Sequence, residues 1–164
     1  MIRPTQPDES ETLVEMAVAT GFFKPIEIDA LRLVLSDYHA GTAGPGHVAV
    51  TFEMDGRPLA FAYYAPNVMT DRGWTLYWIF VDRGVQTRGI GAKLLDYVED
   101  DIRAAGGRML VVETSSLAHY EPTWHFYRKL GYRQVAVVPD LYADSDDMIV
   151  FTKRLSDPPP VIMG

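Results

Sequence analysis

A glycine-containing segment near the middle of the chain has the residue types of an anion-binding loop. Residues 86–92 are Gln-Thr-Arg-Gly-Ile-Gly-Ala, and they join an apolar segment to an amphipathic one. Glycine lets a backbone approach a ligand closely, and the first N–H groups of a helix have no partners within that helix. With the positive end of the helix dipole behind them, these groups favour a phosphate or pyrophosphate. The alternative interpretation is an ordinary tight turn between a strand and a helix.

The elements that must position this loop follow from the spacing of apolar residues. A period of 3.6 predicts a helix with Ser10 as N-cap and Val18 on its apolar face, then a second helix that ends near Gly41. Further helices are predicted from residue 91 or 92 to 105 and from 121 to 130. Alternating or continuous apolar patterns predict strands at 2–4, 48–54, 59–63, 74–81, 109–114, 132–138 and 148–155.

The predicted order is β-α-α-β-β-β-α-β-α-β-β. It is typical of an α+β domain with a mixed sheet and helices on both faces, in which residues 74–114 form a right-handed crossover between parallel strands. We expect one domain over residues 1–155. A Pro-rich C-terminal tail follows at 156–164, where consecutive prolines remove backbone donors.

Composition excludes several classes of protein. The chain has 164 residues, which suits one domain, and no apolar run long enough to span a membrane. A net charge of −7 argues against nucleic-acid binding, which relies on basic residues that neutralise phosphates. There are no cysteines, so thiolate zinc sites and cysteine nucleophiles are excluded, and the histidines lack metal-ligand spacing. We therefore expect no nucleic-acid, membrane or metal partners. The lack of cysteines does not fix the compartment, but it fits a cytoplasmic protein, which is the location we expect.

Two motifs resemble those of the GNAT N-acetyltransferase superfamily. Residues 86–91 match its Q/R-x-x-G-x-G/A pattern, and residues 126–132, Phe-Tyr-Arg-Lys-Leu-Gly-Tyr, match its F-Y-x-x-x-G-F/Y helix end. The element order is also similar, over about residues 2–155. The resemblance implies a GNAT-like, mostly antiparallel sheet of six or seven strands, in which two parallel central strands splay apart.

The resemblance implies acetyl-coenzyme A (acetyl-CoA) as the cosubstrate. In the family the pantetheine arm pairs like an added strand with the strand before the loop, here at Ile79, Phe80 and Val81. Many members have Asn seven residues before the motif tyrosine. This chain has Tyr120 there, whose hydroxyl would replace the amide in contact with pantetheine. The pyrophosphate would lie on the backbone of Thr87, Arg88, Gly89, Ile90, Gly91 and Ala92.

The same resemblance implies catalytic roles. Tyr127 matches the tyrosine that protonates the departing thiolate, and a phenol is protonated at neutral pH. Glu113, at the end of an apolar strand, matches a glutamate base, and burial there would raise its pKa. The Val81 N–H is the candidate oxyanion donor. The alternative roles are a core tyrosine and a structural glutamate.

Without a cysteine, the amine is expected to attack the thioester directly in a ternary complex. The segments that build the acceptor side in the family contain aromatic and acidic residues, which suit a cationic amine. We therefore expect a small primary amine as partner. A protein N-terminus or lysine side chain, and a non-catalytic coenzyme A sensor, are the alternatives. A homodimer through the C-terminal strands is also expected. The acceptor candidates are Phe22, Phe23, Glu27, Asp29, Trp74, Tyr77, Trp78, Tyr142 and the acidic run 144–147.

Overall fold

The computed structural model describes residues 1–157, apart from the Thr87 side chain. The tail predicted at 156–164 therefore lies almost entirely outside the described residues. Three 3-10 turns, Pro7–Glu9, Arg83–Arg88 and Ala118–Tyr120, accompany the helices and strands, and the predicted order of elements is confirmed. These elements are β1 (Ile2–Pro4), α1 (Ser10–Thr20), α2 (Pro25–Ala40), β2 (Val48–Met54), β3 (Arg57–Pro66), β4 (Gly73–Val81), α3 (Ile90–Ala104), β5 (Met109–Ser115), α4 (Glu121–Lys129), β6 (Arg133–Ala143) and β7 (Asp146–Arg154).

The seven strands form one sheet in the order β1-β2-β3-β4-β5-β7-β6. Neighbouring strands are antiparallel except β4 and β5, which are parallel. The register between β4 and β5 ends at Leu76 opposite Val112. Beyond this point the two strands separate, although β4 continues to Val81 and β5 to Ser115. The predicted splay is confirmed, and it leaves a cleft between the two strand ends.

A β-bulge at Tyr77 coincides with this separation. Tyr64 of β3 pairs with Leu76 and the preceding β3 residue pairs with Trp78, so Tyr77 has no opposite residue on β3. A bulge bends its strand and increases the twist, which turns the end of β4 away from β5. It also exchanges the faces of the strand: Leu76 and Ile79 belong to one core, and Trp78 packs on the other.

Helices cover the two faces of the sheet. On one face, α3 and α4 pack over a core that includes Leu94, Leu95 and Phe151. On the other face, α1 and α2 pack over Phe61 and Phe80. The buried residues of α3 recur at helical spacing, which fixes the side that this helix turns to the sheet. In the described part of the chain, no helix is long and apolar enough to cross a membrane.

Three local predictions are wrong. Ser10 is the first residue of α1 rather than its N-cap, because Gln6 and Glu9 form a capping box one turn earlier. Val18 is 57% exposed instead of lying on the buried face of α1. Strand β6 extends to Ala143 and β7 begins at Asp146, so residues 144 and 145 form a tight hairpin instead of the longer loop that the predicted strand ends imply.

Strand β6 forms one edge of the sheet, and all of its residues are exposed. An exposed strand edge is open to pairing with another strand. The homodimer through the C-terminal strands stays a prediction, which sedimentation velocity at micromolar protein concentration tests. A clean monomer in that measurement would contradict it.

Candidate functional site

The N-terminus of α3 presents backbone donors close to the end of β4. Gly89 is its N-cap residue, in the left-handed conformation (φ 73°), and has no side chain that could accept from these donors. The Lys93 N–H donates to the Gly89 carbonyl (3.1 Å). The N–H groups of Ile90, Gly91 and Ala92 therefore have no partners within the helix. Free N–H groups of this kind, together with the helix dipole, can bind an anion.

Exposed cationic residues flank this helix end in the sequence. Arg83, Arg88 and Lys93 are exposed, and none of them forms an ion pair within residues 1–157. A protein with a net charge of −7 repels an anion at long range, so local cations and dipoles must supply the attraction. These three side chains are available for that purpose. Thr87, whose N–H is predicted to contribute, lies in the turn just before Gly89.

The edge of β4 that faces the cleft presents backbone groups of Ile79 and Val81. The Asp82 N–H donates to a carbonyl of β3 (2.7 Å). Successive residues of a strand point their N–H and C=O groups in opposite directions, so those of Val81 and Ile79 point away from β3. Phe80, between them, pairs with β3 and packs its ring under α1 and α2. The candidate oxyanion donor, the Val81 N–H, therefore faces the cleft.

Helix α4 connects both sides of the cleft. A Cβ at Gly91 would lie 3.4 Å from the Phe126 ring and 3.5 Å from the Val81 side chain. The two sequence motifs thus meet at the end of β4. On the same helix, the Trp124 indole N–H donates to the Ser115 carbonyl (3.0 Å), which ties α4 to the end of β5.

Tyr127 lies on α4 one turn after Trp124 and is only 2% exposed. Its ring packs against those of Tyr132, with centroids 5.4 Å apart, and Phe151, at 5.8 Å. Burial raises the pKa of the Tyr127 phenol above its usual value. The phenol therefore keeps its proton throughout the neutral pH range.

Glu113 lies on the face of β5 opposite to α4 and is exposed. It is exposed because α1 and α2 pack over β3 and β4 and leave the end of β5 open. Burial and the nearby charges of Glu113, Glu27 and Asp146 raise the pKa of Tyr142 to about 12. These carboxylates therefore lie on one side of the site.

Tyr120 connects the site to the loop between α1 and α2. It is buried, its ring packs against Phe22 (5.8 Å), and its hydroxyl donates to the Phe22 carbonyl (3.0 Å). Burial and the charges of Glu27 and Asp146 raise the pKa of Tyr120 above its usual value. Its proton is committed to the loop, so its oxygen lone pairs remain for the predicted contact with pantetheine.

A buried carboxylate anchors the same loop. Asp146 is 2% exposed and accepts hydrogen bonds from the Lys24 ammonium (2.7 Å) and from the Ser115 hydroxyl. Burial alone would raise the pKa of Asp146, but these hydrogen bonds outweigh it and hold the pKa below its usual value. Sequence reasoning placed Asp146 in an acidic turn, because nothing in the sequence separates it from Asp144 and Asp147.

Asp146→Asn is expected to lower the free energy of unfolding by about 2 kcal/mol at pH 7, the usual size for a hydrogen bond to a charged group. A carboxylate with a depressed folded pKa stabilises the fold above its unfolded pKa of ~3.9 and loses that effect as pH falls through the folded pKa. Urea unfolding should therefore separate variant from wild type less at pH 3 than at pH 7. Glu11→Gln, which breaks an exposed pair with Arg32, is the control, with an effect below about 0.5 kcal/mol. Equal losses in both variants would contradict the anchoring role.

One acceptor candidate lies elsewhere in the molecule. Trp74 is buried at the start of β4, in the core beneath α3. Its indole nitrogen lies beside Gly107, at the far end of that helix. Trp74 therefore supports the sheet and does not line the acceptor side.

Comparisons with known proteins identify the family and the fold. The sequence matches the model of the acetyltransferase (GNAT) family over residues 13–132. A GNAT-family protein from Desulfovibrio desulfuricans is 31% identical, with a TM-score of 0.89 over 95% of this chain and 99% of that one. An aminoglycoside 6′-N-acetyltransferase solved with coenzyme A is 22% identical, with a TM-score of 0.80 over 98% and 99%. The ribosomal-protein-S18-alanine N-acetyltransferase from Escherichia coli is 17% identical, with a TM-score of 0.77 over 100% and 99%.

The likenesses below 25% identity establish the fold alone. A comparison with curated proteins gives no significant match. The family model covers most of the chain and includes both motifs, residues 86–91 and 126–132. The chain therefore belongs to the GNAT acetyltransferase family.

Proposed function

We propose that the chain is an acetyl-CoA-dependent N-acetyltransferase that modifies a primary amine of a small molecule. One observation carries the proposal: the open N-terminus of α3 adjoins the cleft edge of β4, where Gly91 meets Val81. The helix end can bind a pyrophosphate, and the strand edge can pair with an amide-containing arm. Coenzyme A joins these two parts in one molecule. Membership of an acetyltransferase family supports the same conclusion.

The residues at the cleft fit acetyl-CoA. The N–H groups of Ile90, Gly91 and Ala92 would bind the pyrophosphate, with the exposed cations of this helix end beside them. The backbone groups of Ile79 and the Val81 N–H would pair with the pantetheine amides, while the Val81 carbonyl accepts from the Gln86 side-chain amide (3.3 Å). Bound there, acetyl-CoA supplies an acetyl group that is already activated as a thioester.

We propose Tyr127 as the general acid. Tyr127 retains its proton because burial raises its pKa, and its ring is held by packing against Tyr132 and Phe151. The Val81 N–H, expected from the sequence to be the oxyanion donor, lies beside Gly91 at the pyrophosphate end of the cleft, so we propose that it pairs with the pantetheine arm instead. The chain has no cysteine, so direct attack by the amine in a ternary complex is the proposed route.

Glu113 is the proposed base. Its side chain is open to solvent, at the end of the strand that forms one wall of the cleft. A carboxylate in this position can take a proton from an ammonium group directly or through one water molecule. It can then return the proton to bulk solvent.

The charge of the acceptor side favours a small cationic amine. Glu27, Glu113 and Asp146 all lie near Tyr142, but Asp146 is paired with Lys24. The charges of Glu27 and Glu113 therefore remain for an ammonium group, and the Tyr142 ring near them would add cation–π attraction. One structural neighbour is an aminoglycoside 6′-N-acetyltransferase, and aminoglycosides are small cationic amines.

Calorimetric titration with acetyl-CoA, followed by an acceptor panel, tests the proposal. We expect micromolar affinity, and release of the coenzyme A thiol with polyamines or amino sugars as acceptors. Turnover on peptides alone would instead support modification of a protein N-terminus or lysine side chain. Binding without turnover on any amine would indicate a coenzyme A sensor. Absence of binding by the folded protein would contradict the proposal.

A further inference from the structure

A buried hydroxyl near the cleft has no hydrogen-bond partner among the residues that the structure describes. Thr114 is 6% exposed, and its Oγ1 atom is buried without a hydrogen-bond partner among residues 1–157. The Nε2 atom of His39 is also buried without a hydrogen-bond partner among these residues, but it lies at the end of α2, away from the cleft. Buried polar atoms in proteins nearly always have a partner, so this hydroxyl requires an explanation.

A second buried threonine, on the other side of the sheet, has hydrogen-bond partners and serves as a comparison. Thr51 of β2 is completely buried, and its hydroxyl donates to the Glu9 carboxylate (2.6 Å). It also shares a hydrogen bond with the Thr5 hydroxyl (2.9 Å). Leaving such a group unpaired costs the free energy of its lost hydration. The hydroxyl of Thr51 therefore has protein partners, whereas the buried hydroxyl of Thr114 has none among residues 1–157.

The position of Thr114 indicates what could complete it. Thr114 lies two residues after Val112 and opposite Ile149, and both of these belong to the core beneath α3 and α4. Its side chain is therefore on the face of β5 that α4 covers. At this height β4 has already separated from β5, since their register ends at Val112. Trp124 of α4 holds the next carbonyl of the strand, that of Ser115.

We infer that the Thr114 hydroxyl is a ligand-binding group, which forms a hydrogen bond with an amide of the pantetheine arm in the cleft. The inference rests on the proposed function and adds one specific residue to it. A hydroxyl suits this role because it can donate to an amide carbonyl or accept from an amide N–H. The protein then holds a desolvated hydroxyl ready for the ligand, and it does not have to strip water from it on binding.

Thr114→Val tests the inference, because it replaces the hydroxyl by a methyl group of nearly the same shape. The free protein should be at least as stable to urea as the wild type, since an unpaired buried hydroxyl is removed. The Kd for acetyl-CoA, measured by calorimetry, should rise about three- to tenfold. Thr114→Ser, which keeps the hydroxyl, should restore the wild-type Kd.

Thr51→Val is the matched control. The same substitution there removes a hydroxyl with protein partners, so the urea midpoint should fall while the Kd for acetyl-CoA stays unchanged. Wild-type affinity in Thr114→Val would overturn the inference. So would a loss of stability like that of Thr51→Val with unchanged affinity, because the hydroxyl would then have an internal partner such as a buried water. Absence of acetyl-CoA binding by the wild type is a different result, which overturns the proposed function itself.

Discussion

Gly91→Asp is expected to weaken acetyl-CoA binding about 100-fold or more while leaving the fold at least as stable as the wild type. Two like charges 4 Å apart near a protein surface repel by about 4 kcal/mol, and about 1.4 kcal/mol changes affinity tenfold. A carboxylate in the first turn of α3 would oppose the pyrophosphate in this way. The same carboxylate interacts favourably with the helix N-terminus, by about 0.3–1 kcal/mol, so binding and stability should change in opposite directions.

Gly91→Asn is the matched control, because asparagine has the size of aspartate without the charge. A Cβ at this position meets Phe126 and Val81 at 3.4 and 3.5 Å, close to ordinary contact, and Gly91 has no left-handed φ to strain. Calorimetry with acetyl-CoA and thermal unfolding of both variants are the measurements. If the aspartate and asparagine variants bind equally well, the pyrophosphate does not lie at the N-terminus of α3. Stronger binding by the asparagine variant shows the contribution of charge.

The fold was predictable because the residues that begin and end its helices are recognisable in the local sequence. Gly21 and Gly41 end α1 and α2 in the left-handed conformation that favours glycine, and Gly89 starts α3 in the same way. The apolar spacing between these points defines the elements. The bulge at Tyr77 has no such signature, because β4 is apolar on both faces and an extra residue does not interrupt any alternation.

The site was predictable where residues close in sequence act together. The motifs indicate Gly91 and Tyr127, and the structure brings the first motif against Phe126 of the second. The exposure of Glu113 depends on which strands α1 and α2 cover, and the burial of Asp146 depends on a hairpin and on Lys24 far away in sequence. Thr114 has no local signal at all, because its lack of a partner is a property of the folded chain.

Tyr127→Phe is expected to lower kcat by about 10² to 10⁴, the usual contribution of a general acid, with little change in the Kd for acetyl-CoA. Burial raises the pKa of the phenol, and the same surroundings would raise the pKa of a thiol that departs beside it. The difference between the two pKa values, which sets the driving force for proton transfer, therefore changes less than either value alone. Because the phenol is protonated below its raised pKa, it should cause no loss of activity between about pH 6 and pH 9.

Tyr132→Phe is the control, since its ring packs directly against Tyr127 and its hydroxyl donates to the buried Glu99 carboxylate (2.7 Å). Removing that hydrogen bond should lower the free energy of unfolding by about 1.5–3 kcal/mol, with a smaller effect on kcat than Tyr127→Phe. The measurements are steady-state kinetics with the best amine of the panel, calorimetry and urea unfolding. Wild-type turnover in Tyr127→Phe would remove its role as general acid. If both variants lose the same kcat and the same free energy of unfolding, Tyr127 is a core residue. Damage to packing, and not loss of a proton donor, would then explain the slower reaction.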